Sequence, residues 1–191
     1  MSLRPERYVA VSQIALGLCL FICLLLTPHY FFSLDQGGVS NYGTENRTIG
    51  LFTLGFSLAA IGSLLAGIKI PVHGPKQVIM RLGLLLLSAL YGLNLLTTYQ
   101  YKLNSSSKRL HHQAAVALFI GMLLIVIWLR VVCAKDRKAK LAFIVFGIGF
   151  LASTVTFFGF LHVLFTAQLI CGISFAYMLI RCVSLLDHQQ P

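Results

Sequence analysis

The chain has 191 residues, of which 58% are hydrophobic and 10% charged, and 15 Lys and Arg against 5 Asp and Glu give it a formal charge of +10. Soluble domains run about 45–50% apolar and about 25% charged, so this composition excludes a soluble globular domain and requires hydrocarbon as the solvent for most of the surface. A charge of this sign in a soluble chain would point to nucleic acid. Here the basic residues fall in short links between apolar runs, which is the topogenic pattern, and nucleic acid is not an expected partner.

The first apolar run, 8–27, carries no charge and follows Arg4 and Arg7. It is longer than the apolar region of a secretory signal and ends in Thr-Pro-His-Tyr without a small-residue cleavage site, so it reads as a retained span. Pro28 fits a helix stop, and Tyr30, Phe31 and Phe32 suit an interfacial belt. The segment 28–48 then leaves the apolar pattern and holds Asp35 and Glu45, two of the five acidic residues. Its Gly37, Gly38 and Gly43 can take positive φ, while the side chains of Ser40 and Asn41 can bond back to nearby main chain. A connection of this length is usually functional or disordered. Our expectation is that it folds down onto the bundle.

A second span covers 49–69, with small residues at helical spacing (Gly55, Ala59, Gly62, Ser63, Ala66) that let a neighbouring backbone approach. The third, 78–99, places Ser88, Tyr91, Asn94 and Thr98 three or four residues apart, hence on one face, which should look into the bundle. His111 and His112 open the fourth span, 112–132. From Leu141 to Ile180 no Lys, Arg, Asp or Glu occurs, about twice the length one crossing needs, so the chain must turn back. The turn is best placed at 158–160 around Gly159, giving spans 139–158 and 161–183. The expected fold is all-α: one domain, 1–191, a polytopic bundle of six transmembrane helices with one long outer loop between the first two.

With the N-terminus inside, eleven of the fifteen Lys and Arg fall on the inner side, and only Arg47, Lys102, Lys108 and Arg109 on the outer. This bias predicts cytoplasmic termini and an outward-facing loop. His29, His111, His112 and His162 then share the outer face with Asp35 and Glu45. Imidazole with carboxylate is acid–base or zinc chemistry, but no HxxxH or HExxH spacing fixes a pair on one helix face, and neither a metal nor a cofactor is expected. Adjacent His111 and His112 point about 100° apart, so at most one of them should look inward. Glu45, His111 and His112 are the candidate catalytic groups, against the alternative of interfacial histidines bonded to headgroups or loop carbonyls. Asp35, Ser40, Asn41, Arg47, Tyr91, Asn94 and His162 are the candidate binding residues. A guanidinium such as Arg47 matches a planar oxyanion. Gln13, Gln168 and Ser174 read as interhelical glue. All five cysteines lie in or at the ends of apolar segments, none in the loop, and are expected to remain uncrosslinked.

The loop GGVSNYGTENRT feeding into LFTLGFSLAA, followed by RLHHQAAVALFIGMLL at the fourth span, resembles the six-span Frag/DRAM/Sfk superfamily, especially its bacterial branch of unknown function. Ser40, Asn41, Gly43 and His111 or His112 stand at the matching positions, with Asn41 where many relatives carry aspartate. The resemblance implies a lipid-associated protein of a bacterial plasma membrane, without one agreed chemistry. Three functions stay open at this point: an outer polar pocket that binds or modifies a lipid headgroup, a small-molecule transporter, and a membrane scaffold using its small-residue faces against a second copy or another membrane protein. No charged residue lies mid-span, which disfavours a coupled transporter.

Reporter fusions test the topology. Those at Gln36 and Asn104 should report an external position and one at Pro191 an internal one; an external C-terminus would mean that the run 141–180 does not divide at Gly159.

Overall fold

The computed structural model describes residues 4–29, 38–100, 105–161 and 163–187. Among these, the regular elements are helical: α1 (Pro5–Leu26), a 3-10 turn (Val39–Gly43), α2 (Ile49–Lys69), α3 (Pro75–Gln100), α4 (Ser105–Val132), α5 (Arg137–Phe157) and α6 (Leu164–Asp187). All six α-helices are long and apolar enough to cross a membrane. Large apolar side chains remain exposed along them, among them Val11, Leu18, Leu82, Leu96, Leu124, Ile148 and Ile173. In water such a surface would aggregate; in a bilayer it is the solvated face, and the protein is an integral membrane protein. Helix α4 begins well before its apolar run, because Ser105–Arg109 continue the helix beyond the hydrocarbon depth.

Lipid tails are as apolar as leucine, so helices associate here by close packing rather than by escape from water. The glycines show where that packing is tightest. A Cβ on Gly62 would lie 2.3 Å from Ser12 Cβ and 2.9 Å from the Tyr8 carbonyl, which fixes α2 against α1. One on Gly149 would meet the Ala167 carbonyl at 3.0 Å and the Cys171 amide at 3.1 Å, which fixes α5 against α6. Gly67 does the same for α2 on α3, where its Cβ would lie 3.3 Å from the Arg81 carbonyl. Helices α4 and α5 are consecutive, yet they touch little; α6 packs behind both and also reaches α1. The helix α5 stops at Gly159 (φ 83°), where the amides of Gly159 and Phe160 bond back to the carbonyls of Thr156 and Val155. That pair of bonds around a left-handed glycine is the Schellman stop, so the long apolar run turns at 158–160.

At the opposite end, α5 is capped by Asp136, whose Oδ1 accepts from the amides of Lys138 (2.8 Å) and Ala139 (3.2 Å). Its Oδ2 accepts from Arg181 Nε at 2.8 Å, tying the 133–136 turn to the end of α6. That hydrogen bond from Arg181 is the main reason the Asp136 carboxyl is held below the usual carboxylate range. One turn away, Cys133 and Cys182 are joined as a disulfide with a Cα–Cα distance of 6.3 Å. This corrects the expectation of five uncrosslinked cysteines. The two lie 49 residues apart in sequence, and their meeting depends on α4 and α6 packing side by side with α5 displaced, which spacing alone does not reveal. Cys19, Cys23 and Cys171 are free and buried.

On non-reducing gels the wild-type chain should run faster than after reduction, and Cys133→Ser should abolish the difference. Identical mobility of the wild type under both conditions would contradict the crosslink.

Candidate functional site

The described second half of the α1–α2 connection packs onto the end of the bundle where α1, α3 and α5 finish. Tyr42 is fully buried there, edge-on to Phe165 with ring centroids 5.5 Å apart. Three side chains hold the turn: Thr48 Oγ1 donates to the Tyr42 carbonyl (2.8 Å), Thr44 Oγ1 to the Asn41 carbonyl (2.9 Å), and Gln168 Oε1 accepts from the Val39 amide (2.8 Å). The sequence pointed to Ser40 and Asn41 for this task. The hydroxyls that hold the main chain belong instead to residues three and six positions further on, where a tight turn brings a side chain back over an earlier carbonyl. Close approach also explains two glycines: a Cβ on Gly38 would lie 2.3 Å from Gln168 Oε1, and one on Gly43 would lie 2.4 Å from Thr98 Cγ2.

Beneath the turn, the gap between α4 and α5 is a cavity of about 310 Å³. Its polar end is formed by Ser40, Asn41 and Thr44 of the connection with His111 and His112 of α4. Phe119, Ile120 and Phe150 form its apolar depth, and Ser153 and Thr154 lie on the α5 wall. From His111 to Ile120 is about 13 Å along the helix axis at 1.5 Å per residue.

His111 is 3% exposed, whereas His112 is exposed, so one imidazole of the pair looks inward. The Nδ1 of His111 lies 3.3 Å from Thr97 Oγ1 and 3.4 Å from Thr98 Oγ1. Both hydroxyls already donate their single proton to α3 carbonyls, Thr97 to Leu93 (2.9 Å) and Thr98 to Asn94 (2.8 Å). Each can therefore only accept from the imidazole, which places the proton of a neutral ring on Nδ1 and makes Nε2 its acceptor nitrogen. Thr98 is thus the member of the α3 stripe that meets His111.

The remaining candidates separate. Tyr91 and Asn94 line a second cavity, of about 400 Å³, between α1 and α6; Ser40, Ala115, Phe119 and Gln168 form the wall common to both. Glu45 and Arg47 line neither. Glu45 sits at the start of α2, its main-chain carbonyl accepting from the Ile49 amide at 2.9 Å, and Arg47 is exposed. Asp35 and His162 lie outside the described residues. Among the described residues no three His, Cys, Asp or Glu side chains come together as a metal-binding group. Among the lining residues, Ser153 and Thr154 escaped the sequence reading, and Gln168 entered it only as interhelical glue. The available signal was that Ser153 and Thr154 interrupt an otherwise apolar run near the end of their helix, at the level of the histidines. No family model, curated protein or solved structure matches the chain.

Replacing Gln168 by Leu leaves the Val39 amide without its acceptor, a loss of about 1–3 kcal/mol. We expect a lower unfolding temperature in detergent and faster proteolysis of the connection, and unchanged values for both would show that Gln168 does not hold the turn.

Proposed function

We propose that the cavity between α4 and α5 binds the headgroup and upper chain of a membrane phospholipid. The observation that carries this reading is the profile of the cavity: polar at the helix ends, apolar further in, and flanked by exposed Phe157 and Phe158 that would face lipid. An amphiphile lying parallel to the helices has the same profile. The polar end combines donors, the Asn41 amide and His112, with an acceptor nitrogen on His111. That set suits a headgroup offering both phosphate oxygens and hydroxyls, as in phosphatidylglycerol. Among the described residues no carboxylate lines the cavity. The reading is one of recognition; His111 and His112 are the titratable groups placed to take part in chemistry on a bound headgroup. In support of this reading, the basic bias favours an orientation with this end of the bundle outside and both termini in the cytoplasm, and the resemblance to the Frag/DRAM/Sfk superfamily favours lipid.

The test is native mass spectrometry of the protein in mild detergent, titrated with phosphatidylglycerol and with phosphatidylcholine, which lacks headgroup hydroxyls. Phosphatidylglycerol should be retained in preference. Asn41→Ala with His112→Ala should weaken its binding about tenfold, since two hydrogen bonds at about 0.5–1.5 kcal/mol each correspond to that factor. Neither position is deeply buried, so the fold should survive. His111→Ala should cost stability as well, because His111 joins α4 to α3. Equal retention of both lipids, or an unaffected double variant, would overturn the proposal.

A further inference from the structure

The polar groups of the second cavity gather at the end where the connection packs. Asn94 lines this slot and not the cavity that holds the histidines. It stands three and four residues before Thr97 and Thr98, hence about 4.5–6 Å below the level at which those threonines meet His111. Its main-chain carbonyl accepts from the Thr97 hydroxyl (3.0 Å) and the Thr98 hydroxyl (2.8 Å). Its side-chain amide has no hydrogen-bond partner among the described residues, although Asn94 is only 5% exposed. The Nε2 of Gln13, far down the wall, is sealed beneath its neighbours, whereas the Asn94 amide keeps accessible surface in the slot. Ser40 and Gln168 line the same end as Asn94; with Gln168 Oε1 on the Val39 amide, its Nε2 is left to donate.

Below this end the slot is apolar and as long as a leaflet. It extends from Leu24 to the level of Gln13 on α1 and from Gln168 to Ile180 on α6. At 1.5 Å per residue that is about 16–18 Å, against roughly 15 Å for the hydrocarbon of one leaflet. Ile14, Phe21 and Ile173 line it and are themselves exposed (57%, 55% and 70%), so it opens sideways towards lipid. Gly17 and Gly172 line it too, and a Cβ on either would meet no atom within 4 Å, unlike the contact glycines Gly62 and Gly149. Among the described residues no Lys, Arg, His, Asp or Glu lines it. A bare hydrocarbon chain would leave the Asn94 amide, both a donor and an acceptor, unpaired, and a charged headgroup would meet no counter-charge. The occupant therefore needs uncharged polar groups at one end of a chain.

We propose that the slot binds an uncharged single-chain glyceride, with its ester and glycerol hydroxyls against Asn94, Gln168 and Ser40 and its chain running down between α1 and α6. The polar end then lies towards the end of the bundle, where a lipid's ester meets hydrocarbon, and the chain takes the leaflet-long apolar part. The proposal does not rest on a headgroup occupying the cavity between α4 and α5.

The probe is a monoacylglycerol with a photoactivatable diazirine in its chain, crosslinked to the full-length protein in bilayers and mapped by peptide mass spectrometry. Labelling should fall on the α1 and α6 segments around Gly17 and Gly172. Unlabelled monoacylglycerol should compete at least tenfold better than the lysophosphatidate of the same chain, which differs only in its phosphate. Asn94→Leu, which removes the amide and keeps the bulk, should reduce labelling several-fold. Gly17→Leu with Gly172→Leu fills open space and favours helix, so it should reduce labelling at least tenfold even where Asn94→Leu fails to fold. Labelling that maps elsewhere, that is unchanged in the double glycine variant or in folded Asn94→Leu, or that lysophosphatidate displaces equally well would overturn the proposal. The last result would mean that the slot takes any chain from the surrounding bilayer. Phosphatidylglycerol binding by the double glycine variant should equal that of the wild type, which separates this site from the one between α4 and α5.

Discussion

The architecture depends on how closely two helix backbones can approach in a solvent that supplies no hydrophobic drive. Where a glycine lies against a neighbouring main chain, as Gly62 does on Tyr8 and Gly149 on Ala167, the helices close and dispersion acts over their length. Where no such contact exists, between α4 and α5 or along the Gly17–Gly172 line, the bundle leaves space. The two cavities are therefore the complement of the packing pattern.

The connection between α1 and α2 turns that space into defined sites. Its 3-10 turn buries Tyr42, is held to α6 by Gln168 and to α2 by Thr48, and presents Ser40 to both cavities. Main-chain groups at membrane depth need partners within the protein, and the turn obtains them from three side chains on two different elements. The same constraint explains His111: Thr97 and Thr98 spend their protons on their own helix, so the imidazole of α4 must donate to them, and its tautomer follows.

At the far end, Cys133 with Cys182 and Asp136 with Arg181 join the turn after α4 to the end of α6. A covalent bond and a charge-assisted hydrogen bond thus hold the base of the bundle while α4 and α5 separate towards the other end. The ion pair is exposed on the arginine side and adds little stability by itself; the cap that Asp136 gives α5 and the crosslink are the firmer ties.

The sequence by itself determined the class, the six helices and the turn at Gly159, because these depend on local quantities: apolar run length, charge-free stretches and one residue that tolerates positive φ. It also marked Asn41, His111 and His112, since polar residues stand out against hydrocarbon-facing neighbours. Tertiary structure alone decided that Tyr91 and Asn94 belong to a different cavity from the histidines, that Glu45 and Arg47 line neither, that Gln168 holds the connection, and that Cys133 meets Cys182. Each of these depends on the rotation and spacing of helices far apart in sequence. In a membrane that rotation is set largely by close packing at small residues, and a glycine that closes a contact reads the same in sequence as one that faces open space.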